Sequence, residues 1–164
     1  TGLIGQYAHG NEPSHHTTYM YAYSGEHYKI ADKVRYINNE LYTDEPNGLS
    51  GNEDCGQMSA WYILSSMGFY PVNPSNGAYV FGSPLFDEVS LNIPGQNKFK
   101  ISAKNNSDKN IYIQSVSLNG EDYKYSYITH KQILEGGKLE FVMGPNPNKN
   151  FGTEKKYRPK SIVY

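Results

Sequence analysis

Cysteine is almost absent from this 164-residue chain: Cys55 stands alone, which excludes an internal disulfide and leaves the redox compartment open. An excess of either charge is missing too. Fifteen basic against 16 acidic side chains give a formal net charge of -1, so there is no basic surplus for a nucleic-acid footprint. No apolar run reaches the length of a membrane-spanning helix, and no membrane partner is expected. Residues Thr1 to Ala8 lack the charged start and apolar core of an export signal, which leaves export undecided. There is no HExxH spacing, no Cys/His ligand set and no serine in a nucleophile-elbow context, which argues against a zinc hydrolase and a Ser-His-Asp hydrolase.

What is abundant is tyrosine: 16 residues, against six phenylalanines and one tryptophan. An apolar ring with a polar tip suits half-wet surfaces such as sugar clefts. Tyrosine also favours strands, so composition leaves a sugar site and a β-sandwich equally open.

The hydrophobic period changes along the chain, which predicts a helical part over 1–75 and a β-rich part over 76–164. A first helix is expected from Pro13 or Ser14 to Tyr23, interrupted at Ser24-Gly25. A second places Ile30, Val34, Ile37 and Leu41 on one face, with Lys29, Asp32, Lys33 and Arg35 elsewhere. A third, from Asp54 to Met67, is apolar nearly all round, the pattern of a buried helix. Beyond Gly77 the period falls to two at Val89/Leu91/Ile93, Phe99/Ile101 and Leu139/Phe141/Met143. A parity switch between Ile111/Ile113 and Val116/Leu118 predicts a bulge near Gln114-Ser115, and Asn119-Gly120 predicts a hairpin. The fold class is therefore α+β, with helices followed by a mostly antiparallel β-sandwich or sheet. The tail from Asn146 reads as loose, with Ile162 and Val163 as candidates for an edge strand.

Two loop-to-helix junctions gather the polar residues: Gly10-Asn11-Glu12-Pro13-Ser14-His15-His16 and Gly51-Asn52-Glu53-Asp54-Cys55-Gly56-Gln57. Asp54 with Gln57 three residues on fits a capping-box variant. Capping does not account for adjacent carboxylates, Glu53 and Asp54, entering the most apolar helix, where a carboxylate calls for a cation or a substrate hydroxyl. In the first junction Asn11, Glu12 and nearby carbonyls form an oxygen-rich set suited to a hard cation such as calcium. The metal-free reading has Glu12 capping the first helix and His15 or His16 packing on tyrosines. Both readings stand at this point.

These segments, with Met58-Ser59-Ala60-Trp61-Tyr62, Gly68-Phe69-Tyr70-Pro71, Phe81-Gly82-Ser83-Pro84-Leu85-Phe86, Tyr112-Ile113-Gln114-Ser115 and Asn148-Lys149-Asn150-Phe151-Gly152, resemble family 92 glycoside hydrolases in the family's own order. The resemblance implies the C-terminal portion of a calcium-dependent, exo-acting, inverting α-mannosidase: terminal helices of an (α/α)6 toroid followed by the β-rich subdomain. It implies Asp54 and Glu53 as catalytic residues, Asp54 as the general base, and Asn52, His15 and His16 as substrate-binding residues. Asn11 and Glu12 fall in the segment near the calcium and the mannose hydroxyls. The implied partners are a mannose-containing glycan and the rest of the parent chain, with self-association of the isolated piece through its helical half. The implied setting is periplasmic or secreted.

The family's general acid is a glutamate in an upstream Glu-Gly-Asn segment that this chain does not contain, so the chain is expected to be inactive alone. The competing readings are a non-catalytic β-sandwich module holding mannose-rich glycans through tyrosines, and a structural segment that completes a partner domain's core.

Overall fold

The computed structural model describes residues 2–95 and 98–161, so the expected edge strand at Ile162 and Val163 lies outside the described residues. A small antiparallel pair, β1 (Leu3–Ile4) and β2 (Tyr7–Ala8), opens the chain. Three helices follow, α1 (Tyr21–Ser24), α2 (Lys29–Glu40) and α3 (Gln57–Met67). Next come β3 (Phe69–Asn73), β4 (Ala78–Phe81), β5 (Glu88–Leu91), β6 (Phe99–Lys104), β7 (Tyr112–Leu118), β8 (Glu121–Asp122), β9 (Tyr127–Thr129), the short α4 (His130–Leu134) and β10 (Gly137–Gly144). None of the described helices is long and apolar enough to cross a membrane.

The strands form a three-stranded sheet, β3-β4-β9, and a five-stranded sheet, β5-β6-β10-β7-β8. Phe69, Phe81 and Ile128 of the first share one buried cluster with Phe99, Ile101, Leu139 and Phe141 of the second. The rings of Phe81 and Phe141 meet edge to face at 5.1 Å. The fold is α+β with a mostly antiparallel sheet, as the sequence predicts; the one parallel pair is β10 with β6, while β10 runs antiparallel to β7. The bulge falls where the parity switch places it. Val142 pairs with Ser115 and Met143 with Ile113, leaving Gln114 as the extra residue of β7. Leu118 pairs with Glu121 across Asn119-Gly120, both at positive φ, the two-residue turn that matches strand twist.

The helical part differs more from expectation. In place of one helix over Pro13–Tyr23 there are 3-10 turns at Glu12–Ser14 and Thr17–Tyr19, then α1, which ends on Gly25 in the left-handed region. In α2 the face Ile30, Val34 and Ile37 is buried as the period demands, but Arg35 is buried as well. Its guanidinium donates to Ser83 Oγ, the Pro84 carbonyl and Asn106 Oδ1, tying the helices to the sheet side. Helix α3 is not buried all round: Met58 and Trp61 are fully enclosed, whereas Ile63 is 55% exposed. The tail is not loose. Phe151 and Pro159 are buried, and the Tyr157 carbonyl accepts from the Ser126 N–H at 2.9 Å.

Phe151 packs edge-on against His27, which lies within the interior and bonds the Phe81 carbonyl through Nε2 at 2.9 Å. Burial lowers the His27 pKa from 6.5 to about 4. A folded-state pKa below the unfolded value means that the unfolded chain binds the proton first. Stability is therefore full above about pH 6.5 and falls as the pH drops towards 4, by about 3 kcal/mol in all. His27→Gln, which keeps an N–H for Phe81 but cannot ionise, is expected to flatten this acid limb. Urea midpoints at pH 7, 5.5 and 4 for both proteins check it; parallel slopes would exclude His27 as the source.

Candidate active site

The two polar junctions meet in space. A Cβ on Gly51 would stand 2.8 Å from the Gly10 carbonyl oxygen, so the loops touch backbone to backbone and a side chain there would force them apart. Each junction presents one carboxyl at this seam. The Glu12 and Asp54 carboxyls act on one another across it, and this pairing pushes the Asp54 carboxyl above the usual carboxylate range and holds Glu12 below it. Two carboxyl groups in contact require a shared proton or a shared cation to relieve their repulsion.

Local structure leaves these groups free for that contact. Asp54 does not cap α3, contrary to the capping-box reading. The N-cap is Gly56, with no side-chain capping bond, and Asp54, Cys55 and Gly56 all lie in the left-handed region, at φ 52°, 57° and 90°. Non-glycine residues there cost of the order of 1 kcal/mol each, with Asp and Asn among the best tolerated. The turn swings Asp54 away from the helix axis and toward Glu12. It is Glu53 that serves the helix: its carboxylate accepts the Ser59 N–H at 3.0 Å and the Ser59 hydroxyl at 2.8 Å. Asn11 caps nothing either; its side chain makes no capping bond to the 3-10 turn that follows, and it is exposed.

Beneath the seam lies a buried aromatic and histidine network that sequence reasoning did not find. His15 is 1% exposed; its Nε2–H donates to the His9 carbonyl at 2.9 Å, and its Nδ1 accepts from Gln57 Nε2 at 3.0 Å. Both ring nitrogens are thus occupied by protein. Gln57 Nε2 also reaches the Tyr70 hydroxyl at 3.0 Å. His9 is enclosed between the hydroxyls of Tyr7 at 2.7 Å and Tyr42 at 2.6 Å, and Tyr42 in turn donates to the Met58 carbonyl at 3.0 Å. Burial, with His15 nearby, holds the His9 pKa down to about 3, so the ring is neutral at physiological pH. Trp61 Nε1 donates to the His15 carbonyl at 3.1 Å, and its ring meets His9 edge-on at 4.4 Å. The base of one junction is thereby bonded to the start of α3 beneath the other. The partners lie up to 46 residues apart, and no local pattern marks them.

Of the residues singled out from sequence, Asn11, Glu12, Asn52, Asp54 and His16 are at least partly open to solvent, whereas His15 is turned inward. Among the described residues no group of three or more His, Cys, Asp and Glu is gathered tightly enough to hold a metal ion. The donors at the seam are hard oxygens, the donor type that suits a hard cation.

A family model described as the glycosyl hydrolase family 92 catalytic domain matches residues 1–145. The chain belongs to glycoside hydrolase family 92. It is 42% identical to the family GH92 α-mannosidase BT3965 from Bacteroides thetaiotaomicron, superposing with a TM-score of 0.94 over 99% of this chain and 22% of that one. That protein has also been solved in complex with mannoimidazole. The family GH92 inverting mannosidase BT2199 from B. thetaiotaomicron VPI-5482 is again 42% identical, with a TM-score of 0.89 over 96% of this chain and 21% of that one. An uncharacterized secreted glycosidase from Arthroderma benhamiae is 33% identical over 156 residues, 93% of this chain. The chain spans about a fifth of the length of these family 92 relatives.

Proposed function

We propose that this family 92 chain supplies the base side of an inverting, exo-acting α-mannosidase site. The observation that carries the reading is the Glu12–Asp54 contact at the Gly10–Gly51 seam, with Asp54 held off the helix by three left-handed residues. An inverting glycosidase holds its acid and base about 6.5–9.5 Å apart, with the attacking water beside the base. Glu12 and Asp54 touch, so they are not that pair. Asp54 is the base, and the proton donor is assigned to the Glu-Gly-Asn segment outside this chain. Glu53 holds the turn through Ser59, while His15, Gln57 and His9 fix the seam from below. Asn52 and His16, exposed at the rim, are the residues for sugar hydroxyls. Asn11 and Glu12 would contribute oxygen donors to a calcium ion, which when bound grips sugar hydroxyls and favours a flattened ring.

Mannose is the substrate sugar on this reading, in line with the mannosidase relatives and the mannoimidazole complex of one of them. A secreted or periplasmic setting accords with the description of the Arthroderma relative, and cell fractionation checks it. The test of function uses the intact parent protein with a terminal α-mannoside, followed by proton NMR. The β-anomer of mannose is expected first, with release stopped by chelator and restored by calcium. The 164-residue chain alone is expected to release none. Initial appearance of the α-anomer, or turnover indifferent to chelation, would overturn the corresponding part.

A further inference from the structure

Far along the chain from the seam, a groove of about 310 Å³ opens where three segments converge: the bulge of β7, the stretch after β8, and the tail. Its size falls in the range that holds small ligands. Tyr123 and Tyr157 line it, with Asp122, Lys124, Asn148 and Asn150 between them, and none of its residues belongs to either junction. We propose that this groove is a second, non-catalytic site that holds a pyranose unit of a glycan.

The groove is built in advance of any ligand. The bulged Gln114 turns its amide so that Nε2 donates to the carbonyls of Tyr112 at 3.1 Å and Asn146 at 2.9 Å. Asn148 donates from Nδ2 to the Gln114 carbonyl at 2.8 Å and accepts the Asn150 N–H at 3.0 Å. The tyrosines are anchored as well. Tyr123 donates its hydroxyl to Gln132 Oε1 at 3.2 Å, and the Tyr157 carbonyl receives both the N–H and the hydroxyl of Ser126. Tyr125, 39% exposed, joins them, its ring 5.5 Å from Tyr123 and 5.3 Å from Tyr157. Groups held still beforehand lose little freedom on binding.

The chemistry selects the ligand class. Each carboxylate of the groove has a lysine beside it, Asp122 with Lys124 at 3.8 Å and Glu154 with Lys156 at 3.1 Å, so neither sign prevails and a strongly ionic ligand finds no matching field. What remains is aromatic surface beside fixed amides and carboxylates. That combination suits a neutral, hydroxyl-rich ring with apolar C–H faces. The choice of mannose as the sugar rests on the function proposed above; the site itself does not.

The test is a TROSY amide-shift NMR titration of the ²H,¹⁵N-labelled intact parent protein, carrying Asp54→Asn, with linear α-mannotriose. Saturable shifts are expected at Ser115, Lys124, Asn150 and Gly152. Tyr157→Ala and Asn150→Ala should each weaken them about tenfold, and Tyr157→Phe, which keeps the ring, should not. Should Tyr157→Ala fail to fold, the exposed Asn150 decides the matter. Shifts that never saturate, that gather only at Asn11–Ser14 and Gly51–Gly56, or that ignore Asn150→Ala overturn the proposal. Saturable shifts at the groove with maltotriose but none with mannotriose would support the sugar site and overturn mannose as its ligand, leaving the proposed function untouched.

Discussion

Asp54→Asn is expected to lower kcat of the intact parent protein by about 10²- to 10⁴-fold while leaving the fold nearly as stable. The second half of that expectation follows from backbone geometry. Asp54 sits at φ 52°, and asparagine tolerates the left-handed region at least as well as aspartate. The substitution keeps an oxygen that accepts and adds an N–H₂ that can donate to Glu12, so the contact survives and only the basic oxygen is lost. Asp54→Ala is the useful contrast: it loses both the base and the left-handed preference. Initial rates at saturating mannoside, set beside urea midpoints, separate the two. An unchanged kcat for Asp54→Asn would remove Asp54 from the chemistry.

The largest expected effect on stability belongs to Trp61. It is 0% exposed, packs on His9, Tyr19 and Tyr70, and spends its one N–H on the His15 carbonyl. Trp61→Ala should cost about 3–5 kcal/mol, the usual range for emptying an aromatic site. That is a large share of the ~5–15 kcal/mol that holds a domain folded. Trp61→Phe keeps most of the volume and loses chiefly the hydrogen bond, about 1 kcal/mol. Denaturant midpoints of the two variants should therefore fall in that order. Similar losses for both would mean that the N–H to His15, and not the ring, carries the effect.

The sheet half was legible because its signals are local. A parity switch in seven residues gives the bulge at Gln114, and Asn119-Gly120 gives its turn, since both depend only on neighbours along one strand or hairpin. The period of α2 likewise gives its buried face. Misreadings occur where distant partners decide. Arg35 looks like a solvated charge until Ser83, Pro84 and Asn106 arrive from across the chain. Asp54 with Gln57 imitates a capping box, but the Gly10–Gly51 contact and Glu12 draw the aspartate away, and Gln57 turns to His15 and Tyr70. The parallel pairing of β6 with β10 has no signature within either strand. At the site the residue types at the junctions were visible, whereas the floor of His9, Tyr42 and Trp61 was not, because its spacing follows no helix or strand period.

The place of β10 has a consequence for biosynthesis. Of the described strands of the five-stranded sheet it is the latest in the chain, yet it sits at the centre, between β6 and β7. Until Gly137–Gly144 emerges, β5-β6 and β7-β8 are separate hairpins whose inner edges bare unpaired N–H and C=O groups. Hairpins of that kind are marginal on their own in water. The nascent chain thus passes through an interval in which two sticky edges wait for one strand, the situation in which holdase chaperones bind and mispairing begins. Arrest peptides that stall translation before and after Gly144 should show protease resistance of this sheet appearing all at once, as β10 slots in.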